Sequence, residues 1–134
     1  MVYMLDSIIF YYIIRGRPTI VKEYLNRALK AGDEIVLSTI VVAELKFAAK
    51  ETGSKYLIEY IDSLIRKFKV VPYDLKAQKE YIRLVEILKS RKRRIDRVDL
   101  QIVAHAISIG AVLVTGNVMK YDRIDGLKIE DWTI

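Results

Sequence analysis

The stretch from Ile95 to Asn117, which reads IDRVDLQIVAHAISIGAVLVTGN, constrains the fold more than any other segment. After Asp99, apolar residues recur at the spacing of one helical face, and Gly110 ends that pattern. Residues 111–115 are largely apolar and β-branched, as in a strand buried on both faces. A helix that leads into a buried parallel strand runs antiparallel to it. Asp99 and the polar loop that ends at Asn117 should therefore meet at one edge of the sheet.

Asp99 also has an ordinary structural interpretation. Asp96 and Asp99 stand where the N-cap and N3 residues of the helix would be. Acidic residues are favoured there by the unpaired backbone N–H groups and by the helix dipole. This stretch alone leaves capping and catalysis open, and other carboxylates at the same edge would favour catalysis.

Composition limits the chemistry that the chain can perform. Its 134 residues suffice for one domain, residues 1–134, that buries roughly two thirds of its unfolded surface. The absence of cysteine excludes disulfides, thiolate catalysis and zinc–thiolate sites, and the single histidine, His105, excludes histidine-rich sites. We interpret His105 as a core residue. Acid–base or metal chemistry must therefore use carboxylates.

The charge and hydropathy indicate the class of partner. A net charge of +6 favours an anionic partner, with nucleic acid as the first candidate, although a solvated basic surface explains it equally well. Asp6 interrupts the apolar N-terminus, and polar residues interrupt the uncharged run 100–119. Neither pattern is typical of a signal peptide or a membrane span, so we expect a cytoplasmic protein with no membrane contact.

Strand and helix patterns alternate along the whole chain. Predicted strands cover residues 2–5, 35–38, 69–72, 111–115 and 127–129, and helical periodicity occupies the intervals between the first four. This alternation predicts an α/β fold, a three-layer α/β/α sandwich with a mostly parallel sheet of about five strands.

Glu44 is predicted to lie on an apolar helix face. The helix after the second strand places Ile40, Val41, Phe47 and Ala48 on that face with it. Burying an unpaired carboxylate would cost several kcal/mol. Either a cation or a basic side chain pairs with Glu44, or the helix is rotated so that this position faces solvent.

Asp6 directly follows the first predicted strand, where loops of α/β sheets build sites, although it can equally cap the next helix. Asp6, Glu44 and Asp99 thus approach one sheet edge, with Ser7 and Asn117 as polar neighbours. Three close carboxylates require a proton or a divalent cation, and oxygen ligands suit Mg²⁺ or Mn²⁺. Such a site can activate water for attack on phosphorus, which predicts phosphodiester hydrolysis.

Four segments in order resemble the PIN domain family and, within it, the VapC-type toxins of bacterial and archaeal toxin–antitoxin pairs. They are YMLDSIIFYYIIRG, STIVVAELKFAAK, RVDLQIVAHAISIGAVLVTGN and MKYDRIDGLKIEDW. The resemblance implies a PIN-like fold and a Mg²⁺- or Mn²⁺-dependent endoribonuclease. Its acidic positions fall on Asp6, Glu44 and Asp99, its fourth position on Asn117, and its hydroxyl position on Ser7. It also implies a homodimer inhibited by a cognate VapB-like antitoxin whose tail enters the active-site groove.

Two positions depart from the family pattern. Ile8 stands where a polar residue usually follows the Asp-Ser/Thr pair, and Asn117 lacks the charge of an acidic fourth position. These departures leave open whether one metal or two would bind. They also support an alternative, a catalytically weakened module that binds RNA or a protein partner. A receiver-like phospho-acceptor domain is a third hypothesis, which is disfavoured because Ser7 follows Asp6 and Glu130 follows the last strand.

The densest basic segment, residues 89–94, leads directly into Asp96 and Asp99. Such segments are most often solvated loops, but this location would allow contacts with RNA phosphates. The predicted RNA-binding residues are basic and lie close in sequence to the acidic segments; they are Arg15, Arg91, Arg93, Arg94, Arg97, Lys120 and Arg123.

Overall fold

Five parallel strands form one sheet in the computed structural model, which describes all 134 residues. The strands are β1 (Val2–Leu5), β2 (Glu34–Ser38), β3 (Lys69–Val71), β4 (Val112–Thr115) and β5 (Lys128–Asp131). Their order across the sheet is β3-β2-β1-β4-β5. This order confirms the predicted parallel α/β sheet. It also contradicts the receiver-like hypothesis, because receiver domains have the strand order 2-1-3-4-5.

Six α-helices connect the first four strands. They are α1 (Ser7–Arg15), α2 (Thr19–Lys30), α3 (Thr39–Glu51), α4 (Lys55–Ile65), α5 (Leu75–Ser90) and α6 (Arg97–Ser108), and a short 3₁₀ helix (Val118–Tyr121) follows β4. Starting from β1, the chain adds β2 and β3 on one side and then β4 and β5 on the other side. Because the connections between parallel strands are right-handed, α1–α4 lie on one face of the sheet and α5–α6 on the opposite face. This arrangement is the predicted three-layer sandwich. None of the helices combines the length and the apolar character needed to span a membrane.

The observed boundaries of β3 and β5 differ from the predicted ones. β3 ends at Val71 rather than at Pro72, because proline has no N–H group to donate to a strand ladder. The last strand begins at Lys128 rather than at Leu127. Leu127 instead donates its N–H to the carbonyl of Ile124 at 3.2 Å and so belongs to the preceding turn.

The predicted inward face of α3 is partly wrong. Val41, Leu45 and Ala49 are the buried residues of this helix, whereas Phe47 is 66% exposed. Apolar residues occur on several sides of α3, so periodicity alone did not identify the side that packs on the sheet. The observed rotation leaves Glu44 half-buried at the boundary of the core.

His105 is a core residue, as predicted. It is fully buried, its Nδ1 lies 2.8 Å from the Ser38 hydroxyl, and its ring meets the Tyr73 ring edge-on at 5.6 Å. Burial lowers the pKa of the His105 imidazole, against the opposing influence of Asp74 and of the Pro72 backbone. The side chain therefore joins α6 to the end of β2 as a neutral group.

Candidate active site

The strand order reverses between β1 and β4, and this reversal determines where a site can form. Ligands of open parallel sheets bind outside the carboxyl ends of the strands at such a switch point. Asp6 comes directly after β1, and Asn117 comes two residues after β4. The N-terminal end of α6, which carries Asp99, reaches the same edge because α6 runs back along the sheet before β4 begins.

A cavity of about 320 Å³ lies at this switch point. Its polar wall contains Asp6, Ser7, Asp99, Asn117 and Lys120, and the rest of its lining consists of Ile8, Tyr12, Thr115, Gly116 and Tyr121. The fold therefore brings together four of the five residues that were predicted to be catalytic. The fifth, Glu44, is not part of the wall.

Asp6 acts as a helix cap and as part of the cavity wall at the same time. Its Oδ1 accepts a hydrogen bond from the N–H of Ile9 at 2.8 Å, and its own N–H donates to the carbonyl of Val114 at 3.1 Å. Burial raises the pKa of Asp6 and the charge of Asp99 adds to this, while the Thr115 hydroxyl, the Ile9 N–H and Lys120 act in the opposite direction. The helix cap uses only Oδ1 of the carboxylate.

Asp99 stands in the first turn of α6, but its carboxylate does not cap that helix. Its Oδ2 accepts a hydrogen bond from the Nζ of Lys120, and the two side chains form an ion pair. Asp96, at the N-cap position, makes no capping hydrogen bond through its side chain either. The capping interpretation is therefore unsupported for both residues, and Asp99 is oriented towards the cavity.

Glu44 lies next to this group with an unsatisfied carboxylate. Its Oε1 is buried and has no hydrogen-bond partner, and no basic side chain forms an ion pair with it. Burial raises the pKa of Glu44, and the charges of Asp99, Asp96 and Asp6 raise it further. A buried acceptor without a donor costs about 1–3 kcal/mol. A proton or a cation would remove that cost.

The donor atoms at this edge are of the kind that hard divalent cations bind. Asp6 and Asp99 face one cavity, and Glu44 adds a buried carboxylate oxygen without a partner. Carboxylate oxygens suit Mg²⁺ and Mn²⁺. The side chains do not form a complete coordination site, because no three acidic or imidazole groups lie close enough together to bind one ion in their present positions. The chemistry of the donors therefore fits such a cation, and Lys120 competes with it for Asp99.

Two residues that were not predicted also shape the cavity. The Oγ1 of Thr115 accepts a hydrogen bond from the N–H of Asn117 at 3.1 Å and so fixes the loop after β4. Tyr121 is buried; burial raises the pKa of its hydroxyl, and the charges of the surrounding carboxylates raise it further. The position of Thr115 at the end of a predicted strand was a usable signal, whereas nothing distinguished Tyr121 among nine tyrosines.

The loop after β4 also requires a glycine. A Cβ atom on Gly116 would lie 3.0 Å from the Cγ2 of Thr133 and 3.8 Å from the ring of Tyr12. A contact of 3.0 Å is closer than carbon atoms pack without a shift of the neighbour. Gly116 therefore allows the chain end to pack directly against the loop that carries Asn117.

Two of the predicted RNA-binding arginines are engaged within the chain. Arg91 donates to the carbonyl of Arg123 at 3.0 Å, and Arg93 donates to the carbonyl of Lys120 at 2.8 Å and to that of Asp122. These bonds attach the basic segment to the turn after β4. The structure thus gives Arg91 and Arg93 a bracing role, and their contact with RNA remains a prediction.

Arg94 and Arg97 have no ion pair or hydrogen bond through their side chains within the chain. Both line a second cavity of about 510 Å³, whose wall combines basic side chains with apolar surface from Tyr81, Val85, Leu88, Ile95 and Leu100. The first turn of α6 separates this basic cavity from the acidic one, since Arg97 faces the former and Asp99 the latter. Arg15 and Arg123 are exposed and line neither cavity.

Glu44→Gln should stabilise the metal-free protein at pH 8. A carboxyl group whose pKa is raised by folding contributes stability below its unfolded pKa, about 4.3 for Glu, and loses it as the pH rises through the folded value. Glutamine stays neutral throughout, so thermal melts in EDTA should show a gain of a few degrees at pH 8 that vanishes near pH 4. The exposed Glu59→Gln is the control. Equal melting temperatures of Glu44→Gln and wild type at pH 8 would contradict the burial of this charge.

Comparison with known proteins identifies the family. Residues 3–127 match the model of the PIN domain. The chain is 36% identical over 134 residues to Ribonuclease VapC1 of Haemophilus influenzae (strain R2866), covering 99% of each chain. It is 28% identical over 132 residues to the tRNA(fMet)-specific endonuclease VapC of Shigella flexneri, covering 98% of each.

Solved structures give the same result. The VapBC-1 structure from nontypeable Haemophilus influenzae matches with a TM-score of 0.88 and 36% identity, covering all of both chains. The structure of VapBC2 from Rickettsia felis bound to a promoter DNA fragment matches with a TM-score of 0.90 and 30% identity, covering 98% of this chain and 99% of that one. With the fold, the acidic edge and these relatives in agreement, the chain belongs to the PIN domain family and groups there with the VapC ribonucleases.

Proposed function

We propose that this protein is the toxin of a VapBC-type pair, an endoribonuclease that hydrolyses RNA phosphodiester bonds with Mg²⁺ or Mn²⁺. The observation that carries the proposal is the shared cavity of Asp6 and Asp99 at the switch point, with the unpaired oxygen of Glu44 beside it. The names of the relatives, Ribonuclease VapC1 and tRNA(fMet)-specific endonuclease VapC, support RNA as the substrate class.

In this proposal the residues of the chain have separate tasks. Asp6, Glu44 and Asp99 would hold the divalent ion, which when bound acts as a Lewis acid and lowers the pKa of a coordinated water. The hydrogen bond from Ile9 fixes the orientation of the Asp6 carboxylate. The Ser7 hydroxyl and the Asn117 amide line the same cavity and can hydrogen-bond a water molecule or a phosphate oxygen.

The basic cavity is the best-placed surface for the RNA backbone beyond the cleavage point. Arg94 and Arg97 have free guanidinium groups there, and Arg97 lies two residues from Asp99. Guanidinium groups bind phosphate oxygens in bidentate fashion, and the ring of Tyr81 offers a surface for a base. A strand bound in this cavity would thus run close to the carboxylates.

The double variant Arg94→Ala/Arg97→Ala should weaken RNA binding and its salt dependence. Each lost phosphate contact on a single strand lowers the slope of log K against log salt by about 0.7, so two contacts should lower it by about 1.4. Fluorescence anisotropy of a labelled RNA in EDTA measures binding without cleavage. Lys30→Ala/Lys128→Ala makes the same charge change and is the control, because α2 ends at Lys30 just before β2, and Lys128 begins β5, at the opposite edge of the sheet. Identical slopes in the two double variants would contradict the assignment.

The partner proposed is a cognate VapB-like antitoxin whose tail enters the active-site groove. Support comes from the solved relatives, which are VapBC structures. A homodimer in the cytoplasm is the assembly proposed with it. Phe47 and Tyr56 provide exposed apolar surface for such contacts, being 66% and 77% exposed, and Tyr56 stacks on Tyr60 at 6.1 Å.

Cleavage assays with controlled metal content test the proposed function. Purified protein is incubated with labelled tRNA and messenger RNA in Mg²⁺, in Mn²⁺ and in excess EDTA. Cleavage in either metal that stops in EDTA and returns on adding the metal back is the expected result. Cleavage that continues unchanged in EDTA would exclude a metal-dependent nuclease.

Two structural observations favour the alternative of a catalytically weakened module. Ile8, which is 49% exposed, lines the acidic cavity at a position where the family pattern has a polar group, and Lys120 already pairs with Asp99. Calorimetry separates the two functions. Salt-sensitive RNA binding without any Mn²⁺ binding would favour the module, whereas Mn²⁺ binding with cleavage would favour the nuclease.

A further inference from the structure

Lys120 is the only basic residue in the wall of the acidic cavity. It lies in the 3₁₀ helix after β4, and its Nζ donates to Oδ2 of Asp99 while standing 5.9 Å from the centroid of the Tyr121 ring. The carbonyl of Lys120 accepts a hydrogen bond from Arg93 at 2.8 Å, which braces this turn from its outer side. The fold therefore presents the ammonium group to the carboxylate.

The charge of Lys120 reaches more than one carboxylate. Asp6 lines the same cavity as Lys120 and Asp99, so the ammonium group acts on the carboxylate of Asp6 as well. The three carboxylates proposed as ligands, those of Asp6, Glu44 and Asp99, carry three negative charges when ionised, and the ammonium offsets one of them. The two remaining charges match one divalent cation. A second divalent cation would leave the centre positive and would compete with the ammonium for the oxygens of Asp99.

We propose that Lys120 is a tethered cation that limits the acidic centre to one divalent ion and sets how tightly that ion binds. The inference rests on the proposed metal-dependent nuclease and deepens it. The sequence analysis predicted that Lys120 contacts RNA, whereas this proposal assigns it a role at Asp99. Lys120 is in this sense a positioning residue, because it acts on the metal through Asp99 and through the charge balance of the cavity.

Calorimetric titration of Mn²⁺ into the metal-free full chain tests this role. Wild type should bind one ion per chain. Lys120→Met removes the charge but keeps the length of the side chain, and Mn²⁺ should then bind about fivefold more tightly or better, since even in water a unit charge about 8 Å from a divalent ion has an effect of this size. Lys120→Arg should keep wild-type stoichiometry and affinity, and Lys120→Glu should bind a second ion.

Lys69→Met is the matched control. It removes a lysine that pairs with Glu34 at 2.9 Å, at the start of strands β2 and β3 and so at the opposite edge of the sheet, and it should leave Mn²⁺ binding unchanged. Circular dichroism melts show which variants are folded. If Lys120→Met does not fold, the numbers of Mn²⁺ ions bound by Lys120→Arg and by Lys120→Glu are compared instead.

Three results would overturn the role of Lys120. They are two Mn²⁺ ions bound per wild-type chain, a Lys120→Met protein that binds Mn²⁺ as wild type does, and a Lys120→Glu protein that still binds one ion. A different result would contradict the proposed nuclease function alone: a wild-type protein that binds one Mn²⁺ ion but cleaves neither tRNA nor messenger RNA.

Discussion

Asp99→Asn should abolish metal-dependent RNA cleavage, with a loss of at least about 100-fold in rate. Asparagine keeps the volume of the side chain and one oxygen acceptor but removes the charge that both Lys120 and a divalent cation require. Asp99 lies in the first turn of α6 with its side chain 30% exposed, and its carboxylate caps nothing, so the substitution should leave the fold intact. Single-turnover cleavage of labelled RNA in saturating Mn²⁺ measures the effect.

Asp62→Asn is the matched control for this experiment. Asp62 also pairs with a lysine, Lys46 at 3.9 Å, but it lies on α4 and outside the acidic cavity. The control should cleave RNA at the wild-type rate. Equal cleavage rates for Asp99→Asn, Asp62→Asn and wild type would mean that Asp99 is not a catalytic residue. The cavity that it lines could then no longer be interpreted as the active site.

Trp132→Ala should cost about 3–5 kcal/mol of the free energy of unfolding. Trp132 is 1% exposed, and its ring stacks on that of Tyr24 at 5.8 Å and meets that of Tyr3 at 5.4 Å. Its Nε1 donates to Glu130 at 3.1 Å. Truncation removes these contacts together, and it leaves a cavity between α2 and the sheet where the chain end packs. Urea denaturation followed by circular dichroism measures the change.

The control for Trp132 is Tyr56→Ala. Tyr56 is 77% exposed, and its ring contacts only Tyr60 among the aromatic side chains. Its removal should change the free energy of unfolding by less than about 0.5 kcal/mol. A loss below about 1 kcal/mol for Trp132→Ala would mean that the chain end is not part of the core.

The helix-to-strand unit around Gly110 was predictable because two different periods meet there. Residues after Asp99 follow the helical period and residues 112–115 form a short buried strand, so α6 and β4 were identified nearly to their ends. Parallel topology then required Asp6 and Asp99 to share one sheet edge, and they line one cavity. The sequence was informative here because local pattern and topology pointed to the same arrangement.

Side-chain pairing and helix rotation could be predicted less well from the sequence. Nothing in the spacing of Phe47 and Leu45 indicated which of them packs inward, since that depends on neighbouring helices. Glu44 was expected on the same face as Phe47, and its position beside the cavity wall follows from the actual rotation of α3. Lys120 was predicted to bind RNA because it lies close in sequence to the acidic segments, whereas its pairing with Asp99 depends on a turn that periodicity cannot describe.

A crystal structure of the protein soaked with Mn²⁺ and measured at the manganese absorption edge would show directly whether Asp6, Glu44 and Asp99 hold a divalent ion. We expect a single anomalous peak within coordination distance of carboxylate oxygens from Asp6 and Asp99, with Glu44 as a direct ligand or one water away. A fully loaded crystal without anomalous density among Asp6, Glu44 and Asp99, or with manganese bound only elsewhere, would contradict it.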